Sequence, residues 1–478
     1  MSDEAKRGIV FRDPVHQLIH IDDDDDFLCE LIDSRPMQRL RRVRQLGVSW
    51  LTYHGAEHSR FSHSMGVFHV ASRILNTLHH RYQNSEEIQK LIEDNHRAVL
   101  AAALLHDIGH APFSHAMERL FSANADHEKR TMLLIQDESL GIPQILEKVG
   151  VQAEDVISIL EKLHKYRFLC DIVSSQLDAD RMDYLLRDSL FTGVEYGHYD
   201  LEWVSSHLCL GKRPHNEEAE TEIKNTNLRL CLDEKRGLFA AEQLIIGRYH
   251  MSMQVYFHAA TRMWEALLLC LLRRAAELSR DDNLALPGVT LLPGTPPALL
   301  EFLQKEGGID NSLFLRLDDG VISSAMENWR DSSDDFVAEV SSAFLERRKR
   351  IGPDKKKLFK LYDLSGKDLL SLGKLLGILE KETEKFPAYK WELDDIKKWP
   401  LYKDFLSNIK KAGTVENVSD ASSIFLSDGD LSSDAQPAEL SSFIFQSMGD
   451  NPLDVTRLFV HYTLVEEIDS LMDEFKLS

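Results

Sequence analysis

The segment HRAVLAAALLHDIGHAPFSH, residues 96–115, carries an unbroken apolar run from Ala98 to Leu105 that stops at His106 and Asp107. A helix apolar on every side must be buried. The spacing therefore predicts a core helix over His96–His106 whose C-terminal end is held rigidly. Burying an imidazole next to a carboxylate without partners costs several kcal/mol. A bound divalent cation removes that cost by taking a nitrogen and an oxygen directly. A capping aspartate beside a core histidine accounts for the same dipeptide, and the pair alone does not separate the two. Gly109 and Pro112 break the helix, in a position to return His110 and His115 over the same spot.

Outward from this segment, a second amphipathic pattern over Ser62–His80 places Met65, Val67, Phe68, Ala71, Ile74, Leu75 and Leu78 on one wide apolar face. His63 lies at the N-terminal end of that face, with Arg60 on nearly the same side. Downstream, SSQLDADRMDYLLRDS (174–189) sets Asp180, Tyr184 and Asp188 at i, i+4 and i+8, one helical face, flanked by Arg181 and Arg187. Alone, Asp180 reads as an exposed helix acid. Several separated helices that each offer a core-facing metal-type ligand make coincidence a poor account. Further helices are predicted at Met37–Gln45 with Pro36 in the first turn, Glu128–Gln136, Glu154–His164, Cys170–Arg187 and Phe239–Leu278. A short hairpin is predicted between Lys212 and Gly237. The Pro- and Gly-bearing segment Leu286–Pro297 marks a boundary. Beyond it the chain reads as helical to about Lys411, then loop, then a short strand at Leu458–Tyr462.

The class is mainly α: a helical core with small β excursions over residues 1–280 and a mainly helical C-terminal region, 281–478, for oligomer contacts or a lid. With 478 residues, 43% hydrophobic and 28% charged, the chain is an ordinary globular one. The apolar runs fall far short of the ~20 residues that span a bilayer. MSDEAKRGIV has no apolar signal core, so a cytoplasmic location without membrane insertion is expected. The five cysteines form no CxxC pair and read as reduced thiols. Against 56 Lys and Arg stand 78 Asp and Glu, a net charge of −22 that disfavours nucleic acid as a partner. An anionic small substrate still fits if arginines and a metal gather in one cleft. The acidic run Asp22–Asp26 lacks the alternating ligands and central Gly of a calcium loop.

Taken together, His63, His106, Asp107 and Asp180, with RFSH at 60–63, HDIGHAPFSH at 106–115, His127-Glu128, DADRMDYLLRD at 178–188, and Arg248 followed by Tyr256, resemble the HD-domain deoxynucleoside triphosphate triphosphohydrolases over roughly residues 8–275. The HD motif alone is shared by many chemistries; the phosphate- and sugar-side residues at matching spacing are the specific part. The resemblance implies an HD-type helical fold in which His63, His106, Asp107 and Asp180 hold one divalent metal. Two imidazoles and two carboxylates suit Mn, Fe, Zn, Ni or Mg alike, and Mg on the nucleotide is implied as well. Arg60, Arg181, Tyr184 and Arg248 correspond to triphosphate ligands, Arg181 standing where many relatives carry Lys. His115 corresponds to the general acid for the departing 5′-oxygen, oriented by His127 and Glu118 with His110 nearby; some relatives have Asp at the Glu118 position. Gln45, Leu46 and Asp188 match positions beside base and deoxyribose, and Tyr256 the wall against C2′.

Val10, Asp33, Gln38 and Arg41 match the positions of a guanine-nucleotide activator, dGTP or GTP, bound between subunits. A second activator site is matched only at His258, with Arg12 and Gln254 departing from the pattern. This implies a homo-oligomer, a tetramer by resemblance. The expected reaction is dNTP plus water to deoxynucleoside and triphosphate. The alternatives are an HD phosphohydrolase acting on a monophosphate, a cyclic dinucleotide or an alarmone, and a non-catalytic nucleotide sensor. The Gly-Tyr-Pro signature of the cyclic-dinucleotide branch is absent.

Overall fold

The computed structural model describes residues 8–121, 126–212, 227–280, 291–351, 356–399, 424–450 and 453–477. The chain enters through an antiparallel hairpin, β1 (Ile9–Asp13) and β2 (Gln17–Ile21), with Ile9 opposite Ile21 and Asp13 opposite Gln17. The Asp13 carboxylate closes the turn by accepting from the backbone N–H groups of Val15 (2.8 Å) and His16 (3.0 Å). Helices α1 (Phe27–Asp33) and α2 (Arg35–Arg39) follow, with Pro36 in the first turn of α2. The helix predicted over Met37–Gln45 ends early. A 3₁₀ turn covers Leu40–Arg42, Val43 is extended, and Gln45 donates its backbone N–H to His58 O at 3.0 Å. Val43 is β-branched and leaves the helix readily.

The core is a pack of helices. α3 (Arg60–Arg81) buries the predicted apolar face. α4 (Glu86–Leu105) begins ten residues before His96, because its first half is amphipathic and Ser85 caps it. Only its second half, Ala98–Leu105, is apolar all round, and all of it is buried. The short helices α5 (His115–Leu120), α6 (His127–Gln136), α7 (Ile142–Glu147) and α8 (Ala153–Leu160) lead to α9 (Arg167–Val173) and α10 (Ala179–Thr192). The predicted single helix Cys170–Arg187 is therefore two, broken where Asp178 caps α10 by accepting from the Arg181 N–H at 2.7 Å. After α11 (Leu201–Ser206) comes an antiparallel pair, β3 (Leu208–Lys212) with β4 (Leu228–Asp233); of the hairpin expected between Lys212 and Gly237, only the second strand falls in that range. The strand Phe425–Ser427 joins it in parallel to β4. The predicted helix Phe239–Leu278 is α12 (Leu238–Met251), a π turn at Ser252–Tyr256, and α13 (Ala259–Ser279), which His258 caps.

Beyond residue 291 the first part is helical, ending with Asp319–Trp329 and Asp335–Leu345. The expectation of helix to Lys411 then fails over the described residues, and its last stretch, 400–411, lies outside them. Phe359–Asp363, Leu453–His461 and Trp391–Trp399 form an antiparallel sheet with Leu453–His461 in the centre. The buried side of Trp391–Trp399 includes Glu392 and Asp394, charges that mask the alternation from which a half-buried strand is read. One hydrophobic core runs from Ile19 to Phe459, and a smaller one under this sheet joins the helices Leu369–Lys381 and Val465–Glu474. Among the described residues no single helix is long and apolar enough to cross a membrane.

Candidate active site

α3, the C-terminal end of α4 and the first turn of α10 converge. His63, His106 and Asp180 each present a ligand atom, all within 4.8 Å of one another. His63 Nε2 lies 3.1 Å from Asp180 Oδ1, and His106 Nε2 lies 4.0 Å from the same oxygen. The two imidazoles meet edge to face at 5.2 Å. Asp107 touches both, its Oδ1 at 3.3 Å from His106 Nε2 and its Oδ2 at 3.9 Å from His63 Nε2. That Oδ2 also accepts from Arg60 Nη1 at 2.6 Å.

Whether this donor set fits a cation is decided by two observations. His106 donates through Nδ1 to Ala103 O at 2.9 Å, which fixes Nδ1 as the protonated nitrogen, and leaves its buried Nε2 without a hydrogen-bond partner. A lone pair buried in this way, aimed at carboxylates, is a metal ligand's arrangement. The charges agree. Burial alone would lower the His63 pKa, yet hydrogen bonds to Asp180 and Asp183 raise it to about 10, so the carboxylates call for a positive charge at this point. The Asp180 carboxyl, pushed up by burial, is brought down to about 2 by His63 and His106. With 34% of its side chain exposed, Asp180 is where the cluster meets solvent. The donors fit one divalent metal per site.

A second group sits alongside. Gly109 lets α6 approach: a Cβ there would meet His127 O at 2.3 Å. His110 and His127 stack at 3.9 Å, and both Nδ1 atoms face Glu118 Oε1, at 3.1 and 3.0 Å. His110 Nε2 returns to Asp107 Oδ1 at 3.2 Å, as the turn after Asp107 predicted. Burial pushes His110 down to about 4, with Arg60 and His127 adding and Asp107 opposing. For His127 burial is outweighed by Glu118, and the pKa is raised. These donors also have the composition of a metal site, a second candidate beside the first. The preceding loop is strained, with Phe113 and Ser114 at φ 54° and 55°. It is held by Phe113 N–H to Asp319 Oδ1 (2.8 Å) and Arg60 Nε to Ser114 Oγ (2.8 Å). His115 starts α5, and its side chain lies outside the described residues.

Along α10 the predicted face holds. Beyond Asp180, Tyr184 meets the Tyr256 ring at 6.2 Å, and Tyr256 OH donates to Asp188 Oδ2 at 2.8 Å. His58 Nε2 takes the other oxygen of Asp188 at 2.8 Å. Tyr256 closes the π turn, a distortion frequent at functional sites. Arg181 pairs with Asp178, and Arg248 Nη1 donates to Gln176 Oε1 at 2.8 Å. Burial lowers the Arg248 pKa, which Tyr184 partly offsets. Gln45 keeps a buried Oε1 without a hydrogen-bond partner, and Leu46 packs on the core. The residues expected to bind an activator are not among the donor groups. Val10 and Asp33 are exposed, and Arg41 covers the Phe61 ring at 3.6 Å while its Nε donates to Gln38 Oε1 at 2.9 Å. His258 caps α13 beside Tyr53. Sequence reasoning missed Asp183, His16, Asp13 and His58. Only Asp183, three residues after Asp180, had a legible signal.

The HD domain family model matches residues 60–188, which contain the whole cluster, and the HD associated region model matches residues 220–286. The uncharacterized protein YwfO of Bacillus subtilis is 34% identical over 387 residues, covering 80% of this chain and 79% of that protein. The deoxynucleoside triphosphate triphosphohydrolase SAMHD1 of Homo sapiens is 31% identical over 217 residues, 39% of this chain and 34% of its own length. Among solved structures, a phosphohydrolase from Bacteroides thetaiotaomicron superposes with a TM-score of 0.68 at 25% identity, over 95% of this chain and 100% of that one. A hypothetical protein from Aquifex aeolicus gives 0.65 at 26% identity, over 98% and 100%. The chain belongs to the HD-domain phosphohydrolase superfamily. It is a metal-dependent member, distantly related to the SAMHD1-like enzymes.

Proposed function

We propose that this protein hydrolyses deoxynucleoside triphosphates to deoxynucleoside and inorganic triphosphate, by attack of water at the α-phosphorus. The observation that carries the reading is that guanidinium groups from α3, α10 and α12 and the Tyr256 ring of the π turn gather around the metal-type donors and the face of α10. Arg60 and Arg181 border the donors, Arg248 lies beside Tyr184, and Asp188 with Tyr256 and His58 closes the far end. His63, His106, Asp107 and Asp180 would hold the metal, which when bound would supply Lewis acidity at the phosphate and make water more acidic.

The chain's own groups do the rest. The guanidinium forks of Arg60, Arg181 and Arg248 bind phosphate oxygens and never lose their charge. His115 delivers the proton to the leaving 5′-oxygen, with His127, Glu118 and His110 as the relay that keeps a proton available. The ring of Tyr256, pinned through its hydroxyl by Asp188, stands against C2′ and excludes a ribose hydroxyl; Gln45 and Leu46 line the base. A guanine nucleotide, dGTP or GTP, binds Val10, Asp33, Gln38 and Arg41, with His258 at a second position, across the subunits of a homotetramer. Residues 1–280 carry the chemistry, and 281–478 support it.

The test is incubation of the full chain with each dNTP, with and without dGTP or GTP, in Mn²⁺ or Mg²⁺, identifying both products. Triphosphate plus deoxynucleoside is expected. Orthophosphate or a nucleoside monophosphate would move the activity to another branch of the superfamily.

A further inference from the structure

His63 has two ring nitrogens, and the one facing away from the cluster is not idle. Its Nδ1 lies 2.8 Å from Asp183 Oδ2. A carboxylate here keeps a proton on Nδ1, so Nε2, on the side of Asp180 and Asp107, is the nitrogen that would turn its lone pair to a bound cation. Asp183 is fully buried and receives more than this one bond. His16 Nε2 lies 2.7 Å from Oδ1, and Arg187 donates through Nε at 2.8 Å and Nη2 at 2.9 Å. Arg187 in turn spans to Asp13, with Nη1 to Oδ2 at 2.9 Å and Nη2 to Oδ1 at 3.2 Å. Asp13 is the residue whose carboxylate closes the N-terminal hairpin. A continuous chain of contacts thus runs from the tip of the hairpin, through Arg187 and Asp183, to His63.

Two further features show that the fold is built around this chain. At Gly66, one turn after His63 on α3, a Cβ would fall 1.9 Å from Asp183 Oδ1 and 2.5 Å from Arg187 Nη2. Only glycine lets α3 and α10 close on the pair. The His16 side chain is nearly as buried as its partner and packs against the His69 ring at 4.9 Å, so the turn cannot move without exposing the carboxylate. A hairpin tip whose only task was to cover the core would need none of these charges.

We propose that Asp183 is the positioning carboxylate of the metal centre, and that the Asp13–His16 turn of the N-terminal hairpin holds it, so that the hairpin sets the cation affinity of His63. The inference rests on His63 as a metal ligand and not on the choice of dNTP as substrate.

The full-length chain, stripped with a chelator and titrated with Mn²⁺ by calorimetry and by the electron-paramagnetic-resonance signal of free Mn²⁺, reads the affinity without turnover. Asp183→Asn is expected to weaken Mn²⁺ binding by about 10–100-fold. His16→Ala is expected to weaken it in the same direction by less, and His16→Gln, which restores an N–H donor, to recover most of the loss. A purely structural clasp would lower the melting temperature of these variants and leave Mn²⁺ affinity alone. If Asp183→Asn does not fold, His16→Ala against His16→Gln decides. Wild-type affinity in folded His16→Ala overturns the proposal. Wild-type affinity in His63→Ala would instead remove the metal assignment beneath it, so the two failures are told apart.

Discussion

Replacing Glu118 by glutamine keeps an oxygen where His110 and His127 meet it, at 3.1 and 3.0 Å, and removes only the charge. Hydrogen bonds to a charged group contribute about 1.5–3 kcal/mol against about 0.5–1.5 for neutral ones. The loss at His127 is then about 1–1.5 kcal/mol, close to one pKa unit at about 1.36 kcal/mol per unit. The sign follows from the structure. Glu118 raises the His127 pKa against burial, so the glutamine variant lets it fall and the imidazolium is lost at lower pH. The alkaline limb of kcat/KM is expected to move down by about one pH unit, measured as triphosphate release across pH with metal saturating. Glu118→Ala, which also takes away the oxygen that both rings face, should lower the rate by about 10²-fold, the low end for a positioned acid. An alkaline limb that stays in place while the glutamine variant loses rate would show that Glu118 does not act through the charge on His127.

His106→Ala should abolish turnover and stoichiometric metal content while leaving helix content intact, read by elemental analysis and far-UV circular dichroism; a variant that keeps its metal refutes the ligand assignment. Tyr256→Ala should lower the ratio of dNTP to NTP hydrolysis by about 10-fold or more, the scale of a lost steric wall; an unchanged ratio places sugar selection elsewhere. Arg229→Met strands the buried Asp171 carboxylate, which now takes two bonds of 2.7 Å from that guanidinium. Urea denaturation should register a loss of about 3–5 kcal/mol. Burial, reinforced by His16 and Arg73, holds His69 down to about 4. Its contribution is present above the ordinary histidine pKa and fades as pH falls from there toward 4, so His69→Gln should lose less of its unfolding midpoint on acidification than the parent.

What could be read in advance was whatever breaks an apolar pattern in a polar way. His63 and His106 are polar residues at the ends of buried helical faces, and Asp180, Tyr184 and Asp188 share a face by spacing alone, which is local geometry. The helix breaks at Ser174–Asp178 and at the π turn before Phe257 were hidden, because both lie inside continuous helical periodicity and depend on caps that a periodicity count ignores. His58, His16 and Asp13 were hidden for a stronger reason. Each reaches the site through a partner more than a hundred residues away, which its own stretch of sequence does not reveal.

The strand Trp391–Trp399 makes the same point with charges. Its Glu392 and Asp394 are buried, and the groups that neutralise them come from the helices that frame the site. Arg119, next to Glu118 on α5, reaches Glu392 at 2.6 Å and comes within 3.8 Å of Asp394. Arg273 of α13 reaches Glu392 at 2.6 Å, and Arg262 binds both Asp394 and Glu265. Removing one partner from a buried pair costs about 3–5 kcal/mol because the other charge stays behind. The strand therefore cannot withdraw from α5 without leaving several uncompensated charges at once. The neighbouring strand Leu453–His461 adds a bond from Arg457 Nη1 to Phe257 O at 2.6 Å, immediately after Tyr256. The helix that carries Glu118 and the turn that carries Tyr256 are thus both fixed by residues beyond the segments that match the family models.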